Sequence, residues 1–229
     1  MGVTSFAPAA PALLPAPGKN VAAGGANGDV TDLLARLRPV EGPGDLDLHT
    51  AEAAARDLLV ALGVDLDGES LRDTPRRMAR MYAELLTPPA FRATTFPNDG
   101  HYDELVVATG IPFHSLCEHH LLPFVGVAHV GYLPGERIVG LSKLARVVER
   151  FARTLQVQER LTAQIAGWLD EHLAPAGVGV VLEAEHLCMS LRGVQKAGAR
   201  TVTSALYGRV RDDPRTRQEF LALTASGRV

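Results

Sequence analysis

Cysteine is scarce in this chain: 229 residues carry two, Cys117 and Cys188. So few exclude a disulfide scaffold and a four-cysteine zinc knuckle. No apolar run approaches the ~18 residues that a membrane span needs. Charge of one sign is lacking too. A formal net charge of −3 does not suit an electrostatic nucleic-acid binder, which carries a strong basic excess. There is no C-x-x-C, which a zinc-dependent nucleobase deaminase requires, and no G-x-x-x-x-G-K-[ST] phosphate loop. No internal repeat of fixed period is visible. What remains is a chain with 46% hydrophobic residues, long enough for one medium domain with an appendage and a real core. Composition therefore predicts a globular, cytoplasmic protein with neither a membrane nor a nucleic acid as partner.

The first 45 residues read differently from the rest. APAAPALLPAPGKNVAAGGANGD is rich in Ala, Pro and Gly and has too little bulky apolar surface to offset the entropy of ordering. A disordered tail is expected there, with at most a helical turn in TDLLARL (31–37). The first basic residue is Lys19 and prolines interrupt the apolar stretch, so the secretory pattern fails. Phe6 stands where myristoylation after Gly2 needs Ser or Thr.

From His49 the pattern turns helical. Ala55, Leu58, Leu59 and Leu62 recur at helical spacing, with Thr50 as the expected cap and Gly63 as the stop. A second helix is predicted from Asp73-Thr74-Pro75, and a loop over PPAFRATTFPNDG. Strands follow at 104–109 and 124–133, the latter ended by Pro134-Gly135. Helices are predicted from Ser142 and from Gln158 to about Leu173. A long strand over 177–190, a strand over 201–208 and a helix over 212–223 complete the chain. This order predicts an α+β fold with an antiparallel sheet. The expected divisions are a tail (1–45), an N-terminal helical segment (46–95) and a main domain (96–229).

The densest chemistry lies in SLCEHH, residues 115–120. Cys117 and His120 form a C-x-x-H pair, a spacing that lets a turn present two ligands to one ion. The other cysteine sits in His186-Leu187-Cys188. On the strand expected over 177–190, residues two apart share a face, so His186 and Cys188 project into the same space, on the face that carries Val178, Val180, Leu182 and Ala184. Two thiolates with an imidazole suit zinc, and three protein ligands leave a position open for catalysis. Cys117, His120 and Cys188 are then the candidate ligands, and His119 and His186 lie beside them for proton transfer. Spacing alone leaves another reading open, in which both cysteines are buried apolar groups and the histidines incidental.

SKLARVVERFARTL (142–155) sets Leu144, Val147, Val148, Phe151 and Leu155 on one stripe and Lys143, Arg146, Arg150 and Arg153 opposite. With Ser142 as the expected N-cap, this helix start suits a phosphate, though a solvated basic face fits the same pattern. Gln158 and Glu159 open the next helix. A carboxylate there can accept from the N1–H and exocyclic amine of guanine, which adenine does not offer; a solvated helix start is equally compatible. Arg192 places one more cation just past Cys188.

Taken together, SLCEHHLLPFVGVAHVGYLP, GLSKLARVVERFARTLQVQERLT, EAEHLCMSLRGVQ and TVTSALYG closely resemble the GTP cyclohydrolase I family over roughly residues 48–225. The resemblance implies zinc on Cys117, His120 and Cys188, with His119 and His186 as catalytic histidines. It implies that Ser142, Lys143, Arg146 and Arg192 hold a triphosphate and that Glu159, with Gln158 beside it, anchors guanine. It implies a part for Ser142 in the chemistry as well. Arg77 and Arg80 match a basic helix reaching a neighbouring subunit's triphosphate site. The implied fold is the tunnelling fold, an antiparallel sheet with helices on one face, assembled as a toroidal homodecamer with sites at subunit interfaces. The implied reaction takes GTP and water to 7,8-dihydroneopterin triphosphate and formate. It runs through hydroxide attack at purine C8, opening of the imidazole ring and rearrangement of the ribose.

Overall fold

The computed structural model describes residues 46–225. The expected tail, its helical turn at 31–37 and the last four residues lie outside that range. Two helices come first, α1 (Leu48–Ala61) and α2 (Thr74–Leu85), and they pack against each other. Asp47, not Thr50, caps α1: its carboxylate accepts from the Thr50 backbone N–H at 2.9 Å and the Thr50 hydroxyl at 2.6 Å. Thr50 is the third residue of the helix, so its hydroxyl donates to the cap and does not serve as one. Gly63 follows with φ +79°, the left-handed turn that stops the helix. Of the predicted apolar stripe only Ala55 is buried, while Leu58 and Leu62 face outward.

The main body is a five-stranded sheet in the order β5-β2-β3-β6-β7. Its strands are β2 (Val106–Cys117), β3 (Pro123–Leu133), β5 (Leu155–Gln156), β6 (Gly177–His186) and β7 (Arg200–Tyr207). All neighbours pair antiparallel except the two-residue β5, which joins β2 in parallel. Two short strands, β1 (Thr95–Pro97) and β4 (Arg137–Val139), pair beside it. β1 therefore straddles the expected 95/96 division, in a stretch that reads as loop.

β2 runs eight residues beyond Thr109. Gly110, at φ +67°, takes up a bulge between Ala108 and Ile111, and the strand resumes through Pro112. Proline is tolerated there because β5 pairs with β2 only at Leu116 and Cys117. β6 is shorter than expected. It ends at His186, and Leu187–Ser190 form one helical turn, α5.

Helices α3 (Leu141–Ala152) and α4 (Gln158–Leu173) cover one face of the sheet. Val178, Val180, Leu182 and Ala184 of β6 are all fully buried against Leu144, Val147, Leu161, Ile165 and Leu169. Each Val, Leu or Ile among them contributes ~1.5–3 kcal/mol by leaving water. Gly140 caps α3 through its backbone, so Ser142 lies inside the first turn and is exposed. The opposite face carries a smaller cluster. There Val181 meets Val210 of α6 (Gly208–Asp212) and Phe220 of α7 (Pro214–Ala225).

Candidate active site

β2 and β6 both run antiparallel to β3, so their C-terminal ends emerge on the same edge of the sheet. Cys117 is the last residue of β2, and Cys188 lies in the helical turn after β6. The expected strand alternation between His186 and Cys188 therefore does not operate; the α5 turn brings the thiol in. Between the two ends lies the tight turn Glu118–Leu122. The Leu121 N–H donates to the Cys117 carbonyl at 2.9 Å, and the Cys117 N–H donates to the Leu122 carbonyl at 2.9 Å. Leu121 adopts φ +54° to close it.

Folded this way, the ligand atoms of Cys117, His120 and Cys188 all lie within 4.8 Å of one another. That approaches the spacing set by bonds of about 2.0–2.3 Å to one tetrahedral ion. Both cysteines are buried and free of a disulfide, whereas His120 is exposed. Burial, then the neighbouring Cys117, pushes the Cys188 thiol up, while the Arg192 guanidinium pulls it down. Two adjacent buried thiols with an imidazole form a donor set that a cation of borderline softness fits.

The turn is clamped from α4. Arg160 donates to Glu118 at 2.5 Å, to the Leu155 carbonyl at 2.9 Å and to Gln156 Oε1 at 2.9 Å. Gln156 in turn donates to the Phe151 carbonyl and to Gln164. Neither Glu118 nor Arg160 was singled out in the sequence. The signal that could have found them is a carboxylate between Cys117 and His119 with a guanidinium two residues past Gln158.

His119 and His186 occupy different environments. His119 sits on the turn with its side chain 62% exposed, its Nδ1 3.7 Å from Cys117 Sγ. His186 is half-buried and stacks on Phe124, with ring centroids 4.6 Å apart and planes 6° from parallel. Burial lowers its pKa, partly offset by the charge of Glu159. Glu159 stands exposed in the first turn of α4 and so faces the same region. Gln158 is fully buried instead: its amide nitrogen donates to β6 and β7, and its oxygen faces His186. The Gln158 side chain is thus engaged within the sheet, beside His186.

The other expected phosphate contacts scatter. Arg192 is exposed beside Cys188. Arg146 lines a cavity of about 290 Å³ with Ile111, Phe113, His114 and Arg153, which includes none of the Cys-His group. Ser142 and Lys143 stand one turn earlier on α3. Arg150 is half-buried, and Arg153 is tied to Glu149 and to the Glu84 carbonyl of α2. Arg77 donates to the Ser70 carbonyl and to Thr74, while Arg80 is exposed on α2.

A family model described as GTP cyclohydrolase I matches residues 51–225. The chain belongs to the GTP cyclohydrolase I family. It is 54% identical over 187 residues to "GTP cyclohydrolase 1" of Streptomyces avermitilis, covering 79% of this chain and 92% of that one. The proteins of the same name from Sulfurihydrogenibium sp. and Acetivibrio thermocellus are each 50% identical. They cover 79% and 78% of this chain, and 97% of each relative is matched. Among solved structures, an archaeosine synthase QueF-Like in the apo form aligns with a TM-score of 0.39 and 15% identity, over 46% of this chain and 94% of that one. For a GTP cyclohydrolase I, the described residues supply a three-ligand group at one sheet edge with two histidines beside it.

Proposed function

We propose that this chain hydrolyses GTP to 7,8-dihydroneopterin triphosphate and formate, the entry reaction of pterin and folate synthesis, in the cytoplasm. The observation that carries the reading is the meeting of Cys117, His120 and Cys188 where β2 and β6 end. These three residues would hold zinc, which supplies Lewis-acid activation of water for attack at purine C8. Glu159 accepts from the N1–H and exocyclic amine of guanine. Lys143, Arg146 and Arg192 pair with the triphosphate, each charge-assisted bond contributing ~1.5–3 kcal/mol. His119 and His186 move protons as the imidazole ring opens and formate leaves, and Ser142 assists the ribose rearrangement. Within one chain Arg146 and the Cys-His group line different spaces. That supports a homo-oligomer, a decamer by family resemblance, in which neighbouring subunits complete each site and Arg77 and Arg80 reach across. The helical hairpin before residue 95 is proposed as a unit distinct from the sheet domain.

The test is formate release and pterin fluorescence from GTP, with and without a chelator, on wild type, His119→Ala and His186→Ala. Chelator-sensitive formate and a fluorescent pterin are expected from wild type, with both variants severely slowed. A metal-loaded protein that binds GTP and releases no formate would instead be a nucleotide-binding ring protein of this fold.

A further inference from the structure

The Gln158 side chain is 1% exposed and every polar atom on it is engaged. We propose that Gln158 is a positioning residue: it holds the neutral His186 ring in the tautomer with hydrogen on Nε2 and fixes the direction in which the free lone pair on Nδ1 points. This rests on the reading of His186 as an active-site residue.

Hydrogen counting decides the tautomer. The carbonyl oxygens of Leu182 and Thr201, 3.2 and 3.0 Å from one end of the Gln158 amide, can only accept. The end facing them is therefore the NH₂, whichever way the amide is drawn. Thr203 Oγ1 lies on the same side at 3.1 Å. Its own hydrogen is already used. Thr162 donates to the Gln158 carbonyl at 2.7 Å, so across the 2.6 Å contact between the two hydroxyls Thr203 must be the donor. Thr203 thus presents a lone pair to the amide nitrogen.

The remaining end of the amide is the oxygen, 2.8 Å from His186 Nε2. Two acceptors do not bond, so Nε2 carries a hydrogen. Turning the imidazole over would set a ring carbon against Oε1 and forfeit the bond. The Phe124 face holds the plane of the ring. With Nε2–H committed to an amide that neither gives nor takes protons, neutral His186 has its lone pair at Nδ1 alone. Because Gln158 is anchored to main-chain atoms of β6 and β7, the ring is indexed to the sheet rather than to a mobile loop.

Neutron diffraction from deuterium-exchanged crystals of the full chain reads the tautomer directly. Deuterium on Nε2 of His186 is expected, and deuterium on Nδ1 alone overturns the proposal. In solution, Gln158→Leu removes the acceptor. It should lower kcat roughly 10- to 100-fold while KM for GTP and bound metal stay at wild-type values. Gln158→Glu in its neutral form restores an oxygen opposite Nε2, with the carboxyl O–H turned to the Leu182 and Thr201 carbonyls, and should recover part of that loss. Wild-type kcat in Gln158→Leu overturns the proposal, as does a parallel loss of kcat, GTP binding and metal in both variants, the mark of a merely structural role. His186→Ala run alongside separates the two layers. Full activity in that variant dismisses His186 as an active-site residue, whereas the neutron result judges the hold of Gln158 on its own.

Discussion

At the scale of single residues, neighbours in the sequence divide their labour sharply. Gln158 and Glu159 open the same helix, yet one side chain is sealed between β6 and β7 and the other is exposed. The exposed carboxylate is the one proposed above to meet guanine. Glu159→Ala should therefore weaken GTP far more than inorganic triphosphate in competition binding, and equal losses would remove Glu159 from the guanine site. Arg160, one residue on, holds Glu118 at 2.5 Å and with it the turn bearing His119 and His120. Its loss should loosen the ligands without removing one. Arg160→Ala is expected to weaken zinc binding about 10- to 100-fold, measured by competition with a chromophoric chelator. Unchanged affinity would mean that the turn holds itself.

At the scale of elements, strands approach so closely that some positions admit only glycine. A Cβ on Gly126 of β3 would come within 2.0 Å of the Glu183 carbonyl and 2.6 Å of Ala184 Cα on β6. Backbone cannot step aside as a side chain can. Gly126→Ala should destabilise by about 3 kcal/mol or more, read from the urea midpoint, and a change under about 1 kcal/mol would show that β3 can slide. The elements also show which signals in the sequence were readable. Helix α4 matches its expected bounds, Gln158–Leu173, because a clear start and a periodic apolar face agree. The buried face of β6 was equally legible from alternation. The end of β2 was not: Gly110-Ile111-Pro112 has the composition of a turn, and only pairing with β3 reveals a bulge instead. His186-Leu187-Cys188 likewise carries no local sign that extended chain gives way to a helical turn. The ligand set was readable through residue types, while its geometry depended on a strand ending that is set by tertiary contacts.

At the scale of the molecule, apolar side chains stand outside the core in quantity. Leu58 (49% exposed), Val60, Leu62, Leu141, Leu191 and Val202 all face outward, and a groove between α1 and α2 is lined by Leu46, Leu58, Leu86 and Leu121. Surfaces of this kind suit contact with further copies of the chain. Sedimentation is expected to give a mass near ten times the 24.4 kDa chain, and a purely monomeric species at micromolar concentration would dismiss the assembly. Among the described residues no helix is long and apolar enough to cross a membrane.

The ligands of the candidate metal group lie where β2 and β6 end, Cys117 and His120 at and just after the end of β2 and Cys188 just after the end of β6. These two strands never pair with each other and are joined only through β3. Timing follows from this. Neither half of the chain can grip an ion alone, so the group exists only after the slow, long-range step that brings three strands into register. An ion held there would act as a latch set on a finished sheet, not as a template for building one. Refolding rates should be indifferent to zinc, while escape from the native state should slow when it is bound.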